Sequence, residues 1–272
     1  MNYAMGLFLS ALIVVPSIKR DSLTISGGAA ALGVGGILYG LGGPEVFFAL
    51  IAFFLSASLF SKAFKGRKGS DTGESVVEKG SRRDHIQVLA NGGPAVFMVL
   101  LYTVLGHEAF RIGGVMTLAA ANADTWASEL GVLSSSTPVY IIKKTSVPKG
   151  ISGGVTKLGF GASFFGGFFI AVCYGIMALI FKIPLFMEGW KLMMIITAVG
   201  FLGSVFDSVI GELWQARYQR VSSERMVLTE KRKEDGRWNT LEKGCPLIDN
   251  NMVNFLSTLT AALVGVFLLM LL

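Results

Sequence analysis

The stretch from Phe110 to Gly131, FRIGGVMTLAAANADTWASELG, decides how the chain is read. Its first half is almost wholly apolar, as a membrane span is, yet its second half carries Asn122, Asp124, Thr125, Ser128 and Glu129. An ionised carboxylate at the bilayer centre costs about 2.5–3.5 kcal/mol even on lenient insertion scales. Such a residue is either partnered inside a bundle or placed there for chemistry.

The rest of the sequence supplies the setting. Of 272 residues, 52% are hydrophobic and 15% charged, with a mean hydropathy of +0.61. Soluble domains carry about 25% charged residues, so the composition excludes a soluble globular domain and predicts a polytopic membrane protein. Cys173 in an apolar segment and Cys245 in a polar loop read as free thiols. The apolar start, MNYAMGLFLSALIVVPSI, has no basic stretch before it and reads as a first span, not a cleaved signal.

Stretches near spanning length fall at about 2–18, 22–43, 45–63, 84–106, 111–133, 158–182, 190–214 and 251–272. The expected fold is therefore all-α, a transmembrane bundle of about eight spans. All but three of the 24 basic residues lie at or in the connections after spans one, three, five and seven, the exceptions being Arg111, Lys182 and Lys191. The positive-inside rule puts those connections in the cytoplasm and both termini outside. The basic face also suits anionic lipid headgroups, so the bilayer, and no nucleic acid, is the expected macroscopic partner. One integral domain spans 1–272: N-terminal helices over 1–64, a basic loop over 65–83, and a motif-bearing core over 84–258 that contains a second cytoplasmic loop, 216–248. Within these, KGRKGSDTGESVVEKGS reads as a flexible segment and RMVLTEKRKEDGRW as a solvated loop.

Helical spacing then sorts the polar residues. Asn122, Thr125 and Glu129 share one strip, with Asp124 and Ser128 on the adjoining one. In span seven, Ser204, Asp207, Ser208, Gly211, Glu212 and Gln215 form a single polar stripe. Interhelical hydrogen bonding accounts for Asn122, Ser204 and Ser208 singly. Asp124, Glu129 and Asp207 together ask for more, since buried carboxylates repel unless a cation joins them; all three are candidate metal ligands, and carboxylates favour Mg²⁺. A faint repeat links the spans: DTWASEL at 124–130 and DSVIGEL at 207–213 both read Asp, hydroxyl residue, three positions, Glu, Leu.

The spans that start at the cytoplasmic face open unusually, with RRDHIQVLANGGP, ISGGVTKLGFGAS and DNNMVNFLS. Helix N-termini offer free N–H groups and partial positive charge, which suit phosphate. SGGVTKLG adds Gly153, Gly154, Thr156 and Lys157 to such a start, without matching the Walker pattern. NGGP, with Pro94, predicts a break in span four at Asn91, and irregular backbone at that depth implies a protein-lined cavity. His85, between Asp84 and Ile86, reads as an interfacial residue. Carboxylates, helix starts and apolar walls at one level suggest chemistry on a phosphorylated lipid in a polar cavity at the cytoplasmic face.

RRDHIQVLANGG, ANADTWASELG, GGVTKLGFGASFFGG, GSVFDSVIGE and DNNMVNFLS, in this order over roughly 80–258, resemble the integral-membrane family that contains plant phytyl-phosphate kinase and transmembrane protein 19. The resemblance implies CTP-dependent phosphorylation of an isoprenoid monophosphate to its diphosphate. It implies catalytic roles for Asp84, Asp124, Glu129 and Asp207. Together with the motifs it marks Arg83, Gln87, Asn91, Ser128, Gly153, Gly154, Thr156, Lys157, Ser208, Asn250, Asn251 and Asn254 as substrate-binding candidates. The family pattern has a small residue after Gly211, and here it is Glu212. A CDP-lipid-forming cytidylyltransferase would use the same parts, and a secondary transporter of an anionic solute could use buried acids and a broken helix. Transporters gather such features near the midplane, whereas these lie toward one face.

Overall fold

The computed structural model describes residues 2–64, 82–185, 187–219, 228–234 and 236–272. Eight α-helices occupy the eight apolar stretches: α1 Tyr3–Lys19, α2 Ile25–Ile37, α3 Pro44–Ala63, α4 His85–Leu105, α5 Glu108–Gly131, α6 Lys157–Ile180, α7 Gly189–Leu213 and α8 Asn250–Leu271. A π-helical turn, Leu38–Gly42, extends α2. Six of the helical stretches are long and apolar enough to cross a membrane; α1 is shorter, and α5 carries the polar residues that opened the sequence reading. The flexible segment expected over 65–81 lies outside the described residues.

Packing follows membrane logic rather than that of a water-soluble core. α1 buries Gly6, Ser10, Val14 and Ser17 and turns Phe8, Leu12 and Val15 outward, so small residues meet protein and large apolar ones are left for lipid. The centre is α5. Every residue from Ile112 to Ala123 is buried, because α3, α4, α6, α7 and α8 all pack on this helix. A helix enclosed on all sides needs small residues on its neighbours. A Cβ at Gly203 would lie 2.3 Å from that of Ala120, and one at Gly166 would lie 2.9 Å from the Ala123 Cα. Valine at either position would force α7 or α6 away from α5.

α4 is continuous from His85 to Leu105, with Pro94 inside it. The expected break at Asn91 is absent. Proline removes one hydrogen bond from the ladder, and neighbouring helices hold the remainder in place: Gly92 fits against Val34 and Gly93 against Phe255, while Asn91 Nδ2 donates to the Gln87 carbonyl at 3.0 Å.

At the end where α3 and α5 begin, Glu45 is fully buried and pairs with Arg111. Arg111 also holds Glu108 at 2.6 Å, and Tyr102 donates to the same carboxylate at 3.1 Å. The sequence reading counted Arg111 only as a stray loop charge. Removing one partner of such a pair costs about 3–5 kcal/mol, so the cluster pins three helices at the loop-poor end.

The opposite end carries short strands. β1 Val139–Tyr140 pairs with β2 Gly154–Val155. β3 Arg217–Gln219 lies between β4 Leu228–Thr229 and β7 Thr240–Lys243, and β5 Lys233–Glu234 pairs with β6 Arg237–Trp238. Thr229 and Glu230 are buried, so this part of the expected solvated loop is folded against the bundle. Ser152 N–H donates to Glu230 at 3.1 Å.

Candidate active site

α4, α6 and α8 start, and α5 and α7 finish, at this loop-rich end. Asp124 lies seven residues before the end of α5 and Asp207 six before the end of α7, which places both about 10 Å inside the bundle. They share one site. Asp124 Oδ1 accepts from Ser204 at 3.4 Å, one turn before Asp207 on α7. Asp207 is buried and accepts from Ser257 of α8 at 3.2 Å. The Asn254 amide, oriented to satisfy its neighbours, donates to Asp207 at 3.1 Å and to the Asn250 carbonyl at 3.2 Å. The two aspartates feel each other's charge. Two carboxylates, two hydroxyls and an amide thus gather where α5, α7 and α8 meet.

Glu129 does not join them. Five residues along a helix is about 140° of rotation, and Glu129 faces α3, where it accepts from Ser61 at 3.1 Å. No group of three acidic, histidine or cysteine side chains suited to a metal ion forms among the described residues. The expected triad is therefore an aspartate pair with Glu129 set apart. Glu129 instead faces Arg83, whose guanidinium donates to Ser58 at 3.4 Å and lies over the Phe54 ring. Withdrawal from solvent pushes the Arg83 pKa down, and the Glu129 charge pulls it back. Asn122 is a packing residue, as its spacing suggested. It accepts from Ser56 at 2.8 Å and donates to the Gly166 carbonyl at 2.7 Å, joining α3, α5 and α6.

The remaining candidates divide by what holds them. Asp84 caps α4 by accepting from Gln87 N–H at 2.9 Å, and Thr156 caps α6 through Gly159 N–H at 3.0 Å. Asp249 caps α8 and receives Asn251 Nδ2 at 3.1 Å. Asp84 and Thr156 are therefore helix-capping residues in this arrangement. Ser128 is exposed and donates back to Thr125, Ser208 is half-buried beside Asp207, and Lys157 is exposed in the first turn of α6.

The glycines of SGGVTKLG are used by packing. Gly153 has φ +80° and a Cβ there would sit 2.7 Å from Glu212 N; one on Gly154 would sit 2.8 Å from Val147. Gly153 lets the loop approach α7, and Gly154 lets the loop fold closely on itself. Glu212 is the counterpart of that approach. It is 1% exposed and accepts from the backbone N–H groups of Ile142 and Lys143 at 2.8 and 3.0 Å. Beside it Arg217, also buried, donates to Tyr140 and to the carbonyls of Ser152 and Gly211. Burial first, then the nearby Arg217 and Lys143 charges, lowers the pKa of Lys243, whose amine donates to the Glu212 carbonyl. Sequence reasoning did not find Ser257, Arg217 or Tyr140; only Ser257 left a signal, being one turn beyond Asn254.

A mainly helical bundle, with six helical stretches long and apolar enough to cross a membrane and an internal aspartate pair, defines the class of polytopic integral membrane proteins. The chain belongs to the family described as integral membrane protein DUF92, whose sequence pattern matches residues 8–262, well beyond the 80–258 region of the motifs. It is similar to Protein PGR of Arabidopsis thaliana, 32% identical over 279 residues that cover 93% of this chain and 91% of the relative. It is also similar to an uncharacterized membrane protein of Methanocaldococcus jannaschii, 30% identical over 226 residues, 80% of this chain and 87% of that one. No solved structure matches.

Proposed function

We propose that the chain is a membrane kinase that phosphorylates an isoprenoid monophosphate to the diphosphate, with CTP as the favoured donor, at a site reached from the cytoplasm. The observation that carries this reading is the aspartate pair: Asp124 of α5 beside Asp207 of α7, with Ser257 and Asn254 of α8 on the latter. Hard oxygen donors from two carboxylates fit Mg²⁺, which is commonly held by one or two carboxylates and completed by substrate phosphates. Asp124 and Asp207 would hold it, and when bound it supplies charge neutralisation for transferring phosphate. Glu129 does not fit that role.

The chain's own residues set the geometry. Ser204, Ser257 and Asn254 orient the carboxylates. Lys157, exposed at the start of α6, is a candidate counter-charge for the donor phosphates. The acceptor is already an anionic phosphate with a second pKa near ~6, so a strong general base is unnecessary. In the transfer, an acceptor oxygen bonds to the terminal phosphorus of CTP as the bond to the bridging oxygen breaks, leaving CDP. The continuity of α4 takes away the broken helix on which a transporter reading leaned.

The test is a labelled-nucleotide assay of the purified full chain, with CTP, UTP and ATP against a panel of isoprenyl monophosphates and Mg²⁺. The expected product is the isoprenyl diphosphate with CDP. Release of inorganic diphosphate with a CDP-lipid would establish the cytidylyltransferase instead, and no transfer to any acceptor would overturn the kinase reading.

A further inference from the structure

The three N-terminal helices and α4 line a slender crevice of about 60 Å³, partly open to the outside. It is narrow beside the roughly 300–1,000 Å³ usual for whole small-molecule sites. Its walls are hydrocarbon: Ile13 of α1, Val34 of α2, and Leu50 and Phe54 of α3 are among them. Polarity is confined largely to one strip, since Arg83, Gln87 and Asn91 recur every fourth residue down the start of α4. The lining runs from Arg83, at the loop-rich end, to Gly92 on α4, a depth of about 13 Å.

We propose that this crevice takes the hydrocarbon tail of a lipid monophosphate, with the phosphate at Arg83; the identification of the ligand rests on the kinase reading above. Shape and charge both point that way. An apolar slot with a guanidinium at its loop-rich end complements a molecule that is a chain with an anionic head, and a bidentate fork suits phosphate. Arg83 interacts with Glu129, on a different face of α5 from Asp124 but at the same end of the bundle. A head held there approaches the aspartate end of the bundle while its tail stays among α1, α2 and α3. The N-terminal helices, outside the motif-bearing core, then set chain-length preference.

The test measures binding to the full chain purified in detergent, by competition with labelled geranylgeranyl monophosphate. The competitors are the unlabelled twenty-carbon compound, isopentenyl monophosphate and inorganic phosphate. Ala31→Phe narrows the crevice without touching Arg83. It should weaken the twenty-carbon ligand at least about tenfold, the loss expected when two chain carbons are denied burial, and leave the five-carbon ligand unchanged. Arg83→Met should weaken both lipids. Inorganic phosphate should compete poorly; competition equal to that of the lipid would mean an anion site without a tail site and would overturn the proposal. Ile51→Trp narrows the same space from α3 and replaces Ala31→Phe if that variant fails to fold. Equal loss of long and short ligands in a folded variant, or no loss, would also overturn it. The two readings fail separately. Length-selective binding without phosphate transfer would keep the crevice and end the kinase assignment. Transfer by Ala31→Phe with unaltered chain-length preference would keep the kinase and end the crevice.

Discussion

Glu212 is 1% exposed, and its removal gives a sharp test of what a buried acid does here. The carboxylate receives two backbone N–H groups, at 2.8 Å from Ile142 and 3.0 Å from Lys143. Hydrogen bonds to a charged group contribute about 1.5–3 kcal/mol each. Both donors sit on exposed residues, so water can replace the acceptor in part and the lower figure applies. Glu212→Gln keeps one acceptor and turns an amide NH₂ toward the other donor, so it should cost about 1.5 kcal/mol; Glu212→Ala loses both bonds and should cost about 3 kcal/mol. At about 2–4 °C per kcal/mol for a chain of this size, the midpoints should fall by about 3–6 °C and 6–12 °C. Thermal unfolding in detergent gives the midpoints. Limited trypsin digestion reads the loop itself, because Lys143 and Lys144 should become cleavable before the bundle melts. If Glu212→Ala leaves both the midpoint and trypsin resistance unchanged, the carboxylate does not hold this loop.

Asp124→Asn and Asp207→Asn should each abolish phosphate transfer, while stability without Mg²⁺ holds or rises slightly as one of two facing charges is removed; unfolding of both variants with full activity per folded molecule would make the pair structural. Lys157→Met keeps the apolar stem and removes an exposed cation, so CTP affinity should fall about ten- to a hundredfold if one charge-assisted contact is lost; an unchanged titration would leave Lys157 as a headgroup anchor. Cysteines placed in the 65–80 segment of an otherwise cysteine-free chain should react with impermeant reagent only from the cytoplasmic side, and labelling only from outside would invert the topology.

Much of the architecture was legible because a bilayer imposes its thickness on the sequence. All eight apolar stretches became helices, and Asn122 proved to be the packing residue that its spacing suggested. The aspartate pair was legible too, since Asp124 and Asp207 sit at equivalent depths in helices running the same way. The repeat even carried meaning: each Asp is followed five residues later by a buried Glu, Glu129 or Glu212, that faces away from the pair and ties down another element. What spacing could not say was where those glutamates point, because that depends on which neighbour packs on each face. NGGP misled for a related reason. Local chemistry favours a break, but Val34 and Phe255, remote in sequence, fill the space beside the glycines. In SGGVTKLG the close neighbours of the glycines, Glu212 and Val147, were likewise beyond what spacing shows. The strands near Tyr140 and Arg217 are too short to leave a period, and the Glu45–Arg111 pair joins residues 66 apart.

The enclosure of α5 bears on how the protein is made. Helices leave the ribosome in order and partition into the bilayer largely by their own hydrophobicity. α5 carries Glu108, Arg111, Asp124 and Glu129 and is absent from the stretches apolar enough to span alone, although it becomes the most surrounded helix of the bundle. It is a poor passenger on its own. α3 and α4 precede it, but α6, α7 and α8, which cover its other faces, are not yet synthesised when it emerges. Until they arrive, Asp124 lacks Ser204, and Asn122 lacks the Gly166 carbonyl. Biogenesis should therefore pass through an incompletely inserted intermediate. Chains truncated after Gly131 should leave α5 accessible to glycosylation or protease reporters, and extension through Leu213 should withdraw it.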